Sequence, residues 1–344
     1  MRPLVLFALL GLGCHDVPAA SHAEDAASHD AADVGHVGEV AVETGGGFGF
    51  GGPLTLRETG LYADLPARRL AAGVVEYTVR YELWTDGLAK RRFVWLPAST
   101  RIDTTDADHW TFPVGTKTWI ELGLSGAAGP LETRYMVKLP SGKWDMVSYV
   151  WGPGGVATAA PAGRADLAGS GHEAPSTEQC HICHDGVRDA VAGLGVIQLG
   201  AQRIADKPAL AELFARGLLD REQAPVDPPG PTGIAGALGY LHANCGTCHN
   251  DVGIWSGVVP LRLRLRIRDD SPEATGAYQT TVGKVARHVL AGGIDTLVVP
   301  GNPEQSQLWV RLGARGYVQM PPIGTKIADA SAVALVKEWI AGMK

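Results

Sequence analysis

The sequence predicts an α+β multidomain protein, with an N-terminal all-β, sandwich-like domain followed by mainly α-helical cofactor-binding domains. Three observations predict it. Residues 53–165 carry repeated short runs in which apolar and polar residues alternate. Residues 232–344 carry apolar residues at helical spacing at both ends. Two C-x-x-C-H motifs stand at 180–184 and 245–249, behind the β-rich stretch. With 344 residues, 45% of them hydrophobic and 19% charged, the chain can build several packed units. A net charge of −6 offers no basic surface for nucleic acid.

The first fourteen residues read as an export signal. Arg2 supplies positive charge, and Leu4 to Leu10 is an apolar run too short to span a bilayer. Leu12-Gly13-Cys14 resembles a bacterial lipoprotein lipidation signal, although Gly11 stands where leucine is usual. The alternative is a general secretory signal cleaved near Ala19-Ala20. Both export the chain, to a periplasm-facing or outer-membrane position, and a lipidated Cys14 adds a membrane anchor. Residues 15–52, rich in Ala, Asp, His and Gly, read as a disordered linker. His15, His22, His29 and His36 recur there every seven residues, which reads as polar punctuation more readily than as a metal tract.

In the β-rich domain, 53–165, alternating runs at 75–81, 92–96, 116–120, 134–139 and 146–151 predict strands. Thr85-Asp86-Gly87, Pro113-Val114-Gly115 and Pro140-Ser141-Gly142 predict the turns between them. The six Trp between 84 and 151 are expected in core packing. The next segment, 166–231, holds the first motif and a helical face of Ala209, Leu210, Leu213, Phe214, Leu218 and Leu219, then a proline-rich connection at 225–231. In 232–344, a helix over 234–243 leads into the second motif. Asp329 caps a last helix with Val333, Val336, Trp339 and Ile340 on its apolar face. Strict alternation from Leu261 to Arg268 predicts a half-exposed strand with four arginines on one face; the sharper alternative pairs one of them with a buried carboxylate of a bound group.

The cysteines carry the chemistry. Four of the five are Cys180, Cys183, Cys245 and Cys248, and histidine follows each pair at once, as His184 and His249. This spacing suits covalent haem: two thiols add to neighbouring vinyl groups, and the histidine lies under the ring facing iron. The alternatives are a four-thiolate zinc site and a thioredoxin-like redox pair. The histidines and the export signal favour haem.

The second motif lies in Leu241-His242-Ala243-Asn244-Cys245-Gly246-Thr247-Cys248-His249, with Pro300 to Trp309, Met320-Pro321-Pro322 and a C-terminal helix following. In this, residues 234–344 resemble class I cytochromes c. The resemblance implies mainly α-helical cytochrome c-type haem domains, with His249 as proximal and Met320 as distal iron ligand. The wider chain, 75–344, resembles a family of bacterial exported di-haem c-type cytochromes. That similarity rests on Tyr81-Glu82-Leu83-Trp84-Thr85-Asp86-Gly87, Phe112-Pro113-Val114-Gly115-Thr116, Glu132-Thr133-Arg134, Ser148 to Trp151 and Glu178 to His184. His184 is then the first proximal ligand. Its distal partner stays open among His242, His172, Met136, Met146 and His288.

The expected function is single-electron transfer by two covalently bound c-type haems between redox protein partners, other cytochromes or a dehydrogenase, with no catalytic residues assigned. A di-haem peroxidase with an open first iron is the enzymatic alternative. A third reading makes the β domain a module for binding a partner or carbohydrate. No P-loop, G-x-S-x-G, H-E-x-x-H or dinucleotide fingerprint is present.

Overall fold

The computed structural model describes residues 50–127, 129–200 and 209–344. The export signal, Cys14, most of the 15–52 linker and its four histidines lie outside the described residues. In chain order the elements begin with a helical turn α1 (Leu56–Thr59) and the short pair β1 (Tyr62–Asp64) and β2 (Arg69–Leu70). Six strands follow: β3 (Val75–Tyr77), β4 (Ala89–Trp95), β5 (Lys117–Gly123), β6 (Glu132–Lys138), β7 (Trp144–Trp151) and β8 (Ala157–Ala159). Then come α2 (Thr177–His184), α3 (Val196–Leu199), α4 (Leu210–Ala215), α5 (Thr232–Asn244) and α6 (Gly276–Gln279). A hairpin, β9 (Val285–Leu290) with β10 (Ile294–Thr296), precedes α7 (Gln307–Gly313) and α8 (Ala330–Ala341).

Strands β3 to β8 form one antiparallel meander, each paired with its neighbour in the chain. The period of two sends alternate residues to opposite faces. Phe93, Trp119, Tyr135 and Val147 stand opposite one another in one cross-strand row, and Val94, Thr118, Met136 and Met146 in the next. The first row packs beneath Leu56, Leu61, Tyr62 and Leu65 of the N-terminal segment. The apolar members of the second pack with Ala190, Val191, Leu194, Leu199, Leu210, Leu213 and Leu219. Both faces are therefore buried, by different parts of the chain. Trp110, Trp119 and Trp144 are core residues, as the aromatic pattern predicts.

Two parts of the predicted fold class are overturned. The β-rich region is not a sandwich. Its first face is closed by the 53–74 segment, in which Gly60, Pro66 and Gly73 break the chain into pieces that form only α1 and the two-stranded β1–β2 pair, not a full second layer. The haem-motif regions are not mainly α-helical. The described structure is 26% helical, with one six-stranded and two smaller sheets. In 232–344 only α5 and α8 exceed seven residues, and a β hairpin and long irregular connections separate them.

Where apolar spacing is strong, the helices form. Helices α5 and α8 pack around Leu238, Leu241, Val336, Trp339 and Ile340. The Asp329 Oδ1 accepts from Ser331 and Ala332 backbone N–H groups at 3.1 Å each, capping α8 as its sequence predicts. The helix predicted around 209–219 stops at Ala215. Gly217 turns the chain left-handed, and Leu219 bridges in parallel to Ile102 instead. Residues 261–268 alternate as predicted up to Leu265, with Leu261, Leu263 and Leu265 buried, but they join no sheet. Their backbone N–H groups go instead to the His249 carbonyl, the His242 ring and the Thr280 hydroxyl. Among the described residues no helix is long and apolar enough to cross a membrane.

Candidate cofactor site

Helix α2 contains the whole first motif. Ser176 caps it, its Oγ accepting from Gln179 N at 3.2 Å while the Gln179 side chain accepts from Ser176 N. Cys180, Cys183 and His184 occupy positions i, i+3 and i+4, so they share one helix face. The helix packs on β7, where Thr177 Oγ1 donates to the Met146 carbonyl at 3.2 Å.

The second motif begins where α5 ends. Cys248 N and His249 N both donate to the Cys245 carbonyl, at 3.1 and 2.9 Å, so Cys245, Cys248 and His249 continue on one helical turn. The Leu261–Leu265 stretch crosses this turn. Leu263 N donates to the His249 carbonyl at 2.8 Å. Gly246 is required by the crossing: a Cβ there would meet the His242 carbonyl at 2.5 Å and Arg264 Cα at 2.9 Å.

The two motifs touch. Cys183 and Cys248 lie near enough to shift each other, Cys183 up and Cys248 down. Asn250, buried directly after His249, donates from Nδ2 to Gly186 O at 2.9 Å, Gly246 O at 2.8 Å and Thr247 O at 2.9 Å. Its Oδ1 accepts from Val252 N at 2.8 Å. Gly186 admits this contact, since a Cβ there would meet the Thr247 carbonyl at 2.5 Å. The sequence spacing of 65 residues carries no sign of this adjacency. Asn250 was not singled out by sequence reasoning.

The histidines differ in their anchoring. His184 Nδ1 lies 2.6 Å from the Ala190 carbonyl, which places the proton on Nδ1 and leaves the Nε2 lone pair free. Burial pushes its pKa down against that hydrogen bond, favouring the neutral ligand form. His249 is also pushed down, by burial and then Arg262, but its buried Nδ1 has no partner. Burial raises the Cys180 thiol to about 11 and Cys245 to about 12.

These residues fit haem c. Each motif offers two thiols and a neutral imidazole on one helical turn, and the His184 tautomer is the one that binds a metal through Nε2. Among the described residues no three His, Cys, Asp or Glu side chains converge in a metal-holding group. When bound, haem supplies a one-electron couple at iron. Cys180, Cys183 and His184 would hold one, and Cys245, Cys248 and His249 the other.

The candidate distal ligands are scattered. Met320 is half-buried, its backbone N donating to the Arg311 carbonyl at 2.9 Å. The loop behind it is gripped from the sheet side. Asp86 Oδ1 accepts from Thr325 Oγ1 at 2.7 Å and from Lys326 N and Ile327 N at 2.8 Å each. Trp84 Nε1 donates to the Ile327 carbonyl at 2.7 Å. Trp84 N also donates to Asn244 Oδ1 at 2.7 Å, beside Cys245. The Tyr81–Gly87 stretch therefore ties the Met320 loop to the second motif, a role its sequence does not reveal.

His242 is buried, and its Nδ1 accepts from Leu265 N at 3.0 Å. Burial and then Arg264 push its pKa down to about 3, so it is neutral. A neutral ring with its lone pair on Nδ1 carries its proton on Nε2, the form of a structural histidine rather than of an Nε2 iron ligand. His172 is engaged with carboxylates, and His288 sits exposed on β9. Met136 and Met146 lie in the core cluster against which Cys180 packs. Of the four alternating arginines, Arg262 and Arg266 both pair with Asp251, and Arg264 donates to the Asp108 carbonyl at 3.0 Å. No protein-family model, curated protein or solved structure matches this chain.

Proposed function

We propose that this chain is an exported di-haem c-type cytochrome that passes single electrons between protein partners. The adjacency of the two motifs carries the reading. The Asn250 side chain, next to the second motif, bonds to Gly186 O just after the first at 2.9 Å, which would bring two one-electron centres side by side and suits an electron path from one partner through both sites to another. The His184 tautomer supports it, because a proton held on Nδ1 by Ala190 prepares Nε2 for iron. The chain's own residues attach and orient the groups. Asn250 fixes one motif against the other, and Asp86 and Trp84 hold the Met320 loop.

A reductive titration of the purified holoprotein tests this. Two haem-centred one-electron steps are expected, with spectra unchanged by carbon monoxide or peroxide if both irons carry two protein ligands. A protein without reducible haem contradicts the reading, and peroxide turnover at one haem replaces it with the peroxidase alternative.

A further inference from the structure

A buried carboxylate–imidazole–carboxylate row, Glu132, His172 and Asp86, lies beside the first motif. Glu132, at the start of β6, is wholly buried. Its Oε1 accepts from Ser148 Oγ at 2.7 Å and Arg134 Nε at 2.8 Å. Its Oε2 accepts from Arg134 at 3.2 Å and lies 2.8 Å from His172 Nε2. Burial alone would raise this carboxyl, but Arg134 and the hydrogen bonds of His172 and Ser148 hold it at about 2. It is therefore a carboxylate, and the His172 Nε2 carries a proton towards it.

The other side of His172 is unsettled. His172 is 1% exposed, and its Nδ1 has no hydrogen-bond partner. Asp86 Oδ2 faces it at 3.6 Å, beyond hydrogen-bonding distance. Asp86 is itself held below the usual carboxylate range: burial opposes this, but its bonds from Ile327, Thr325 and Lys326, with the nearby His172, prevail. A neutral His172 thus aims a lone pair at a carboxylate in a site closed to water, at a cost in free energy. A proton on Nδ1 would place an imidazolium between two carboxylates.

The row reaches both cofactor regions. Glu132 and Arg134 act electrostatically on the Cys180 thiol, and Arg134 also on Cys183 and His184. Asp86 holds the loop five residues beyond Met320. The remaining charges around His172 are already paired or face water. Lys326 pairs with Glu173 at 3.1 Å at the surface, and Asp166 accepts from Gly171 N. Further along the sheet face, Lys90 and Arg92 pair with Glu82.

We propose that His172 takes up a proton at Nδ1 when the first haem site gains an electron, so that the protein moves a proton together with the electron. The inference rests on the di-haem reading. Added negative charge beside Arg134 weakens that cation's hold on Glu132 and favours positive charge at His172. One electron comes from a one-electron donor protein and one proton from water. No covalent bond between heavy atoms forms or breaks. On reoxidation the electron leaves to the acceptor and the proton returns to solvent.

Potentiometric titration of the holoprotein, followed optically between about pH 5 and 9, tests this where histidine changes charge. Over part of that range one midpoint should fall by up to tenfold in the reduction equilibrium per pH unit, about 59 mV for one electron. His172→Gln should flatten that slope and leave the other haem's behaviour unchanged. Asp86→Asn keeps an oxygen for the 325–327 loop but removes one carboxylate, and should move the sloping region to lower pH. Midpoints independent of pH in the wild type, or a slope that survives His172→Gln, overturn the proposal. If His172→Gln fails to fold, an Asp86→Asn profile that matches the wild type overturns it. A haem assay on the same sample separates the two failures: haem present with flat potentials sinks only this inference, whereas no haem sinks the di-haem reading as well.

Discussion

Replacing Glu132 with glutamine is expected to destabilise the folded protein by about 3–5 kcal/mol at neutral pH, the usual cost of removing one partner from a buried ion pair. The side chain is wholly buried and serves Arg134, Ser148 and His172 together. Glutamine retains an acceptor for some of these bonds but leaves the Arg134 charge uncompensated. The acid limb carries the same signature. The folded carboxyl sits near 2, below its ordinary value of 4.5, so its contribution is fully present above about pH 4.5 and is lost as pH falls towards 2. That shift corresponds to about 3 kcal/mol. Urea unfolding at several pH values measures both effects. A variant as stable as the wild type at pH 7, with an unchanged acid limb, would contradict this account of Glu132.

Replacing Asn250 with alanine is expected to cost about 3 kcal/mol, since four hydrogen-bonding contacts, two of them buried and two part-buried, lose their partner at about 1 kcal/mol each, offset partly by relaxation. The loss falls on the seam between the motifs, because Gly186 belongs to one side and Gly246 and Thr247 to the other. Asn250→Asp is expected to cost more than the alanine change. Its carboxylate would point an oxygen at three carbonyl oxygens where the amide now donates. Thermal unfolding of both variants decides the order. An aspartate variant as stable as the wild type would mean that Asn250 does not hold the seam through Nδ2.

Part of this architecture was legible in the sequence because its cause is local. Alternation from Val75 to Trp151 predicts the strands, and Asp86-Gly87 and Pro140-Ser141-Gly142 mark turns whose Asp86, Gly87 and Gly142 adopt positive φ. Apolar spacing and the Asp329 cap predict α5 and α8 for the same reason. The errors arise where long-range packing decides. Leu261 to Leu265 alternates like a strand, yet its hydrogen bonds go to His249 and His242 and not to a neighbouring strand. The sandwich expectation missed that residues 50–74, with only the two-stranded β1–β2 pair, and segments 190–199 and 210–219 can close the two faces of the six-stranded sheet without a full second layer.

The site shows the same division. C-x-x-C-H spacing identifies each motif alone, because Cys, Cys and His must share one helical turn to serve one group. The proximity of Cys183 and Cys248, the Asn250 seam and the Asp86–His172–Glu132 row join residues between 40 and 86 positions apart, and no periodicity encodes such pairings. His242, open in the sequence between a distal ligand and a structural histidine, gives its lone pair to Leu265 N.

The most direct test of the central claim is the intact mass of the protein after denaturation, made in a host that attaches c-type haem. The account predicts a chain carrying the mass of two haems, falling to one when Cys180 and Cys183 are both replaced by alanine, and likewise for Cys245 and Cys248. A denatured chain without added haem mass, or one whose single haem depends on only one motif, would contradict it.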